Sequence, residues 1–437
     1  MFFLIKTFGC QMNIVDSQIV AAILTKNGFS ETLDINEADI ILFNTCSVRD
    51  KAEQTLFKTL RYVKSLSNSK RRLVGILGCV AQRMKDSLLE NDVVDFVVGP
   101  DSYRKLPSII NEALKDLKGS YTDFDYLESY SDIVPKYNSE ISAYIPISRG
   151  CDNICSYCIV PYTRGPQKDR DINSIIKEFE NLSNEEYKEV TLLGENVNLY
   201  KYKSENGQEY DFADLLDILS NIDSRIRLRF ISSYPKNFTD KLINIIVKHD
   251  NICNHLHLPL QSGSDRILKL MNRHYDSSEY ASLVEKIRKA IPKCEISTDI
   301  ITGFCSEEDI DHRKTMELIQ QCRFSQIFSF IYSVREGTYS AKFLEDNVPL
   351  EIKTNRLKEI VDLQHSISLN DNKKYINESF EVLIEGHSKK DSNKLFGRTE
   401  GNKTVIIENS SDYIKIGDFV NVVITDCTSA TLFGNKI

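Results

Sequence analysis

Three cysteines, Cys151, Cys155 and Cys158, fall within eight residues in SRGCDNICSYCIVPYTRGP. A C-x3-C-x2-C triplet on a loop is too dense for ordinary core packing and offers three thiolates to one shared ligand. Structural zinc takes four closed ligands, usually from paired C-x2-C knuckles; here no fourth Cys or His stands near the triplet. An iron–sulfur cluster tolerates the pattern better, since three thiolates hold three irons and leave the fourth open to a ligand. Tyr157, beside the last cysteine, and the basic residues Arg149, Arg164, Lys168 and Arg170 are placed to shield and tune such a group. A second set, Cys10, Cys46 and Cys79, ends three apolar runs read as FGC, NTC and LGC. Isolated thiols pack as small hydrophobes, so the case for this second set rests on what positions it.

The positioning elements are legible in the hydrophobic pattern. FFLIKTFGC, ADIILFNTC, RRLVGILGC and VVDFVVGP are near-continuous apolar runs, separated by helical stretches such as IVDSQIVAAILTKNG and DKAEQTLFKTLRYVKSL. Such strands belong to a parallel sheet covered on both faces. Its C-terminal strand ends share one edge, where α/β folds bind ligands; Cys10, Cys46 and Cys79 therefore converge by topology, which favours a metal site. A Tyr- and Asp-rich stretch over 119–140 reads as a linker. AYIPISRG, EVTLLGENVN, RLRFISS, HLHLPLQSG, EISTDIITGF and QIFSFIYS then form a second series, alternating with helical segments. Six β/α units predict an incomplete barrel, with the Cys151 triplet at the C-terminal end of its first strand. From 372 the pattern shifts to short strands with Gly, Asn and Asp turns, which predicts a small antiparallel β-barrel. The expected domains are therefore 1–118, 141–371 and 372–437, with 119–140 between the first two.

Bulk properties exclude several classes. The chain has 437 residues, a net charge of −8 and 41% hydrophobic residues, with no apolar run approaching a bilayer span. The start, MFFLIKTFGCQMN, lacks the basic n-region and cleavage site of a signal peptide. A cytoplasmic protein that makes no use of a membrane is expected. In that reducing compartment eleven scattered cysteines point to metal or catalytic chemistry rather than disulfides. The net negative charge gives no global attraction to nucleic acid, so RNA binding has to come from local patches.

The triplet after the first strand of a partial barrel resembles the radical S-adenosylmethionine (SAM) superfamily. TFGCQMN, NTCSVRDKAE and LGCVAQR upstream narrow the resemblance to its methylthiotransferases, over essentially the whole chain. That family has an N-terminal methylthiotransferase domain, a radical SAM barrel and a C-terminal TRAM domain. TFGCQMN with CSVRDKAE is similar to the branch acting on N6-dimethylallyl(isopentenyl)adenosine at position 37 of tRNA, beside the anticodon. The neighbouring branches act on a ribosomal-protein aspartate or on threonylcarbamoyl-adenosine. A different class, a non-catalytic iron–sulfur RNA-binding protein, is opposed by the presence of all six cysteines.

The resemblance implies that Cys151, Cys155 and Cys158 hold a catalytic 4Fe–4S cluster whose open iron binds SAM. It implies a second, auxiliary 4Fe–4S cluster on Cys10, Cys46 and Cys79 that carries the inserted sulfur. Two SAM molecules are used per turnover: one yields a radical that removes hydrogen from C2 of the adenine, the other supplies the methyl group. Gly194, Glu195 and Asn196 in LLGENVNLY are the expected SAM contacts, with Gln261, Ser262 and Asp299 lining the same mouth. Arg335, in the last-strand motif FSFIYSVREGTYSAK, is expected to contact RNA or close the barrel. In the TRAM-like tail Lys389, Lys390, Lys394, Arg398 and Lys403 are the candidate tRNA contacts. Further partners implied are a flavodoxin-type electron donor and iron–sulfur delivery proteins, with the chain acting as a monomer. The segment RGPQKDR departs from the family's RG-x-E-x-S-R at Gln167 and Asp169, and Cys305 replaces a usual Pro. Cys253, Cys294, Cys305, Cys322 and Cys427 are expected to be buried thiols without a ligand role.

Overall fold

The computed structural model describes residues 1–66, 71–408 and 414–437. Strands β1 (Phe2–Phe8), β2 (Ser30–Glu31), β3 (Ile40–Thr45), β4 (Leu73–Leu77), β5 (Phe96–Val98) and β6 (Gly119–Tyr121) form one sheet in the order β2-β1-β3-β4-β5-β6. Every pairing in it is parallel. Helices α1 (Gln11–Lys26), α2 (Asp50–Leu66), α3 (Gly78–Met84) and α4 (Leu106–Ala113) cover its two faces. All of β3 and β4 is buried, as the unbroken apolar runs require. The sequence 119–140 is more than a linker. Its first residues are β6, paired to β5, and Tyr130 buries its ring on Tyr103 while its hydroxyl donates to the Pro100 carbonyl at 2.9 Å.

The second series begins with β7 (Ser142–Pro146), followed by a short antiparallel pair, β8 (Ser148–Arg149) and β9 (Lys168–Asp169), which closes the cysteine loop. Next come β10 (Glu189–Leu193), a two-stranded flap of β11 (Lys201–Lys203) and β12 (Glu209–Asp211), then β13 (Arg227–Phe230). The series ends with β14 (His255–His257), β15 (Glu295–Thr302) and β16 (Gln326–Ile331). Strands β13-β10-β7 and β14-β15-β16 are two parallel sheets joined by the bridge Leu228–Ile252. The six expected strands thus curve into an open half-barrel. Helices α5 (Val160–Arg164), α6 (Ile172–Asn184), α7 (Phe212–Ile222), α8 (Asp240–Lys248), α9 (Asp265–Leu270), α10 (Ser277–Ala290) and α11 (Asp309–Cys322) connect them. The largest core lies between the strands and these helices. Two further helices, α12 (Tyr339–Phe343) and α13 (Leu350–Asn372), follow β16.

The tail is a closed barrel of β17 (Ser379–His387), β18 (Lys394–Thr399), β19 (Thr404–Glu408), β20 (Phe419–Cys427) and β21 (Thr431–Lys436). Four of its pairings are antiparallel, but β19 and β21 run parallel. Cys427, expected to be buried, is half-exposed because it ends β20 at the barrel rim; Cys253, Cys294, Cys305 and Cys322 are buried. Among the described residues no helix is long and apolar enough to cross a membrane.

Candidate active site

The N-terminal triad is built by three strand-to-helix turns on one sheet edge. Cys10 is the N-cap of α1, Cys46 follows β3, and Cys79 lies in the first turn of α3. Asn13 locks the first turn: its Oδ1 accepts from the Cys10 amide at 3.4 Å and from Cys10 Sγ at 3.2 Å. Its Nδ2 donates to Asn44 Oδ1 at 3.0 Å, and Asn44 Nδ2 donates back to the Asn13 carbonyl at 2.9 Å. The cysteine turns of β1 and β3 are thereby stitched together by the asparagines of TFGCQMN and FNTC. Gly9 is required by this approach, since a Cβ there would sit 2.6 Å from the Cys46 Cβ.

The thiols sense each other. The Cys46 thiol hydrogen-bonds Cys10, which against burial brings Cys10 down to about 6, with Arg164 adding to the effect. The same pairing, together with burial, pushes Cys46 well above the ordinary thiol range. Burial raises Cys79, opposed by Arg164. Metal binding would take these protons off, because the thiolate is the ligand form.

The second triad lies on the loop between β8 and α5. Gly150, at φ 78°, turns the chain against the backbone of 165–166, where a Cβ would meet the Pro166 carbonyl oxygen at 2.2 Å. The Cys151 amide then donates to the Gly165 carbonyl at 3.1 Å, and the Gln167 amide to Asp152 Oδ1 at 2.9 Å. Burial pushes Cys151 up to about 11 and Cys158 higher still. Arg273 Nη1 lies 3.5 Å from Cys155 Sγ, with its guanidinium over Tyr234 at 4.4 Å and Tyr275 at 5.0 Å. Tyr157 packs edge-on against Phe304, anchoring the loop to the underlying aromatic cluster.

Between the two triads runs a buried ionic bridge. Asp16 of α1 is fully buried and accepts from Arg149 Nη1 and from Arg164 Nη2, each at 2.8 Å. Arg164 Nε lies 3.0 Å from Glu195 Oε1, an ion pair without hydrogen-bond alignment, so neither Glu195 oxygen has a hydrogen-bond partner. Burial raises the Glu195 carboxyl, opposed by Arg164 and Arg149. Arg164 is an electrostatic neighbour of Cys10 and Cys79 as well as of Glu195. Glu195 in turn is an electrostatic neighbour of Cys10 and Cys79 in the first set and of Cys151 in the second.

The expected SAM contacts sit at the end of β10. Asn196 is 2% exposed, yet neither its amide oxygen nor its nitrogen has a partner. A buried, unsatisfied amide costs free energy unless something bonds it. Ser148 and Ser233, at the ends of neighbouring strands, carry buried unpartnered hydroxyls as well. A Cβ on Gly194 would stand 2.5 Å from Ser148 Oγ, so the turn is bare of side chains at that point. Gln261 holds φ 76° and bridges β15 through the Asp299 carbonyl and the Ile301 amide. Ser262 is turned to Thr315 and Ser264 inside the fold. Asp299 pairs with His257 at 3.3 Å.

The donor set fits iron–sulfur ligation. Six free thiols stand in two groups of three at strand ends, beside orphaned polar atoms able to take a polar cofactor. Among the described residues no three His, Cys, Asp or Glu side chains gather closely enough for a single metal ion; a four-iron cube spreads its thiolates around a larger body.

Several expectations are corrected. Lys168 and Arg170 do not shield the triplet: Lys168 bonds Asp101 at 2.7 Å across the domain boundary, and Arg170 is engaged with Glu178 and Ser174. Gln167 Nε2 donates to Asp169 Oδ1 at 2.8 Å, while the buried Gln167 Oε1 has no hydrogen-bond partner. Arg335, expected to contact RNA or close the barrel, reaches Asp50 and donates to the Val48 carbonyl at 2.8 Å, tying the chain after β16 to the N-terminal domain. Lys403 is turned into the fold, bonding Asn372 Oδ1 at 3.0 Å and lying 3.7 Å from Glu295. Arg398 pairs with Glu385 at 3.3 Å, while Lys389 and Lys390 are exposed and Lys394 is half-buried. Asn13, Asp16, Asn44 and Arg273 escaped the sequence reading; only the Asn of TFGCQMN and of FNTC lay inside motifs already singled out.

The comparisons agree with this geometry. The family model Uncharacterized protein family UPF0004 matches residues 3–99, the Radical SAM superfamily 145–319 and the TRAM domain 373–437. A radical SAM methyltransferase from Kitasatospora setae, TsrM, shares the fold with a TM-score of 0.59 at 13% identity, over 78% of this chain and 77% of that one. The cobalamin-dependent SAM radical enzyme OxsB does so with a TM-score of 0.54 at 12% identity, over 86% and 61%. Fold and cysteine placement together define a radical SAM enzyme with an appended TRAM domain. The tRNA-2-methylthio-N(6)-dimethylallyladenosine synthase of Bacteroides fragilis (strain YCH46) is 45% identical over 436 residues, 99% of this chain and 95% of that protein. The enzymes of the same name from Azobacteroides pseudotrichonymphae genomovar. CFP2 and Karelsulcia muelleri (strain GWSS) are 47% and 45% identical, over 96% and 98% of their lengths. The chain belongs to the tRNA-2-methylthio-N(6)-dimethylallyladenosine synthase family.

Proposed function

We propose that this chain methylthiolates tRNA, inserting sulfur and a methyl group at C2 of N6-dimethylallyladenosine at position 37, beside the anticodon. The observation that carries the reading is the pair of cysteine triads at strand ends, tied together by the buried Asp16–Arg149 and Asp16–Arg164 ion pairs, in a chain matched over 99% of its length to such an enzyme. When bound, the two 4Fe–4S clusters and SAM supply a reducing electron, a hydrogen-abstracting radical, a sulfur carrier and a methyl group.

The protein's part is placement. Cys151, Cys155 and Cys158 would hold one cluster, and Cys10, Cys46 and Cys79 the other. Glu195 and Asn196, with unpartnered polar atoms at the end of β10, are suited to SAM's amino and carboxylate groups. Arg164 and Arg149 fix Asp16, which ties α1 and its Cys10 turn to the cysteine loop of the half-barrel. Arg335 bridges the last barrel strand to the N-terminal domain and narrows the open side. Lys389 and Lys390 on the exposed β17–β18 turn are the TRAM residues best placed for tRNA phosphates. A cytoplasmic monomer served by a flavodoxin-type reductant and iron–sulfur delivery proteins completes the reading.

The test is anaerobic reconstitution followed by incubation with SAM, reductant and tRNA from cells lacking the modification. Nucleoside hydrolysates should show a methylthio mass gain on dimethylallyladenosine. Loading of both clusters without that product would refute the substrate assignment.

A further inference from the structure

We propose that Phe328, with Phe330 and Ile301, forms a subsite inside the half-barrel for a flipped purine, and that Phe328 selects the apolar N6 substituent. The proposal rests on the tRNA reading above and deepens it. Register shows which way these residues face. Asp299 pairs with Phe328 and Ile301 with Phe330, while His257 pairs with Ser297. Residues paired across neighbouring strands share a face. The alternate positions, Leu256, Ile296 and Ile300, belong to the helix-side core, with Ile327 and Leu363 packed against it. His257, Ser297, Asp299, Ile301, Phe328 and Phe330 therefore line the interior. The edge-on contact of His257 with Phe328, ring centroids 5.8 Å apart, agrees.

In closed barrels such positions are filled by layers of branched side chains. Here both phenylalanines are 41% exposed although they point inward. They stand two residues apart on β16, a separation of about 6.6 Å along the strand. One end of this space is closed. Arg227 and Arg229 donate to the carbonyls of Arg398, Thr399 and Glu400, and Lys403 lies beside Glu295. The other end leads to the cysteines, since β16 runs on into Tyr332, which packs with Phe304, the partner of Tyr157. Access is from the cysteine end and from the unpaired edges of β7 and β16.

The lining dictates the occupant. Two aromatic rings and an isoleucine suit an unstacked base and a branched hydrocarbon, as single-stranded RNA bases are held by aromatic side chains. His257, hydrogen-bonded through one ring nitrogen to Ser297 and through the other to Asp299, and Asp299 itself are the polar groups on this face for a base edge. Asp299, the register partner of Phe328, is engaged by His257 at 3.3 Å, which leaves the Phe328 ring as the apolar surface for the substituent. Among the described residues named as lining this wall there is no Lys or Arg to meet a phosphate or a peptide carboxylate.

The experiment uses reconstituted holoenzyme and two anticodon stem-loop RNAs, identical except that one carries dimethylallyladenosine and the other adenosine at position 37. Equilibrium binding and kcat/KM are measured for both. The wild type should prefer the prenylated RNA, and Phe328→Ala should reduce that preference at least tenfold, the scale set by one or two methylenes in an apolar pocket. Phe328→Leu, which keeps apolar bulk and guards against misfolding, should hold the preference within about threefold. Iron content is read for each variant, so that poor loading is not mistaken for lost selectivity. An undiminished preference in Phe328→Ala, or equal weakening towards both RNAs, overturns the subsite. A wild type that methylthiolates both RNAs alike also overturns it while sparing the function. A wild type that methylthiolates neither overturns the function and the subsite with it.

Discussion

Asp16→Asn tests the bridge between the two cysteine sets. Asp16 is fully buried, and its two guanidinium partners, Arg149 and Arg164, have side chains only 3% exposed. Neutralising it leaves two buried cations against a neutral amide, with Glu195 the remaining carboxylate on Arg164. Removing one partner of a buried ion pair costs about 3–5 kcal/mol, much of it the desolvation of the stranded charge. With an m value of about 3 kcal/mol per molar urea, the unfolding midpoint should fall by about 1–1.7 M. The pH dependence supplies a sign. Burial pushes the Asp16 carboxyl up, but Arg149 and Arg164 together hold it below its ordinary value. A depressed folded pKa stabilises above the unfolded value near 3.9 and loses that contribution as pH falls through the lower folded value. The gap between wild type and variant should therefore be constant from pH 5 to 8 and shrink below about 4. Urea unfolding of the cluster-free protein, followed by tyrosine fluorescence and circular dichroism, reads both. A midpoint shift under about 0.3 M at pH 7 would refute the bridge as a structural tie.

Other expectations follow the same logic. Arg229→Met removes the guanidinium donors to the carbonyls of Thr399 and Glu400 and to the Glu189 carboxylate; it should speed proteolysis between 372 and 379, where the TRAM barrel joins α13. Burial lowers His255 to about 3, so it stays neutral in the folded protein. The unfolded chain takes up that proton below about 6.5, and stability should drop by about 1–2 kcal/mol between pH 7 and 5, a slope that His255→Gln removes in urea titrations. Asn196→Leu removes an amide with no protein partner. It should leave the cluster-free protein as stable as wild type or more so, while SAM affinity of the loaded enzyme, by equilibrium dialysis, falls at least tenfold.

Much of the scaffold was legible because it is built from periodicity. The apolar runs ending in Cys10, Cys46 and Cys79 could only be buried parallel strands, and topology did the rest. Asn196, expected at a strand end, lies there with its amide buried and unpartnered. What escaped shares a physical cause. Helix α13 buries Lys353, Arg356, Gln364 and Ser368 against the barrel, so its packed face does not read as apolar. The TRAM barrel docks through Arg227 and Arg229 onto backbone carbonyls, acceptors that carry no side-chain signature. That docking also explains Lys403: a lysine in a polar turn resembles a phosphate contact until its partners, Asn372 and Glu295, arrive from other elements. Asp16 looked like one polar residue in a helix, and only the meeting of two domains makes it the counterion of Arg149 and Arg164.

Two three-cysteine sites stand on either side of one buried ionic bridge, Arg149–Asp16–Arg164, close enough for their clusters to interact. Low-temperature electron paramagnetic resonance of the fully reduced, reconstituted protein tests that interaction most directly. The wild type should hold roughly eight irons and show spin–spin broadening that disappears in both Cys10/Cys46/Cys79→Ala and Cys151/Cys155/Cys158→Ala proteins. A wild-type spectrum equal to the sum of the two variants' spectra would contradict the account.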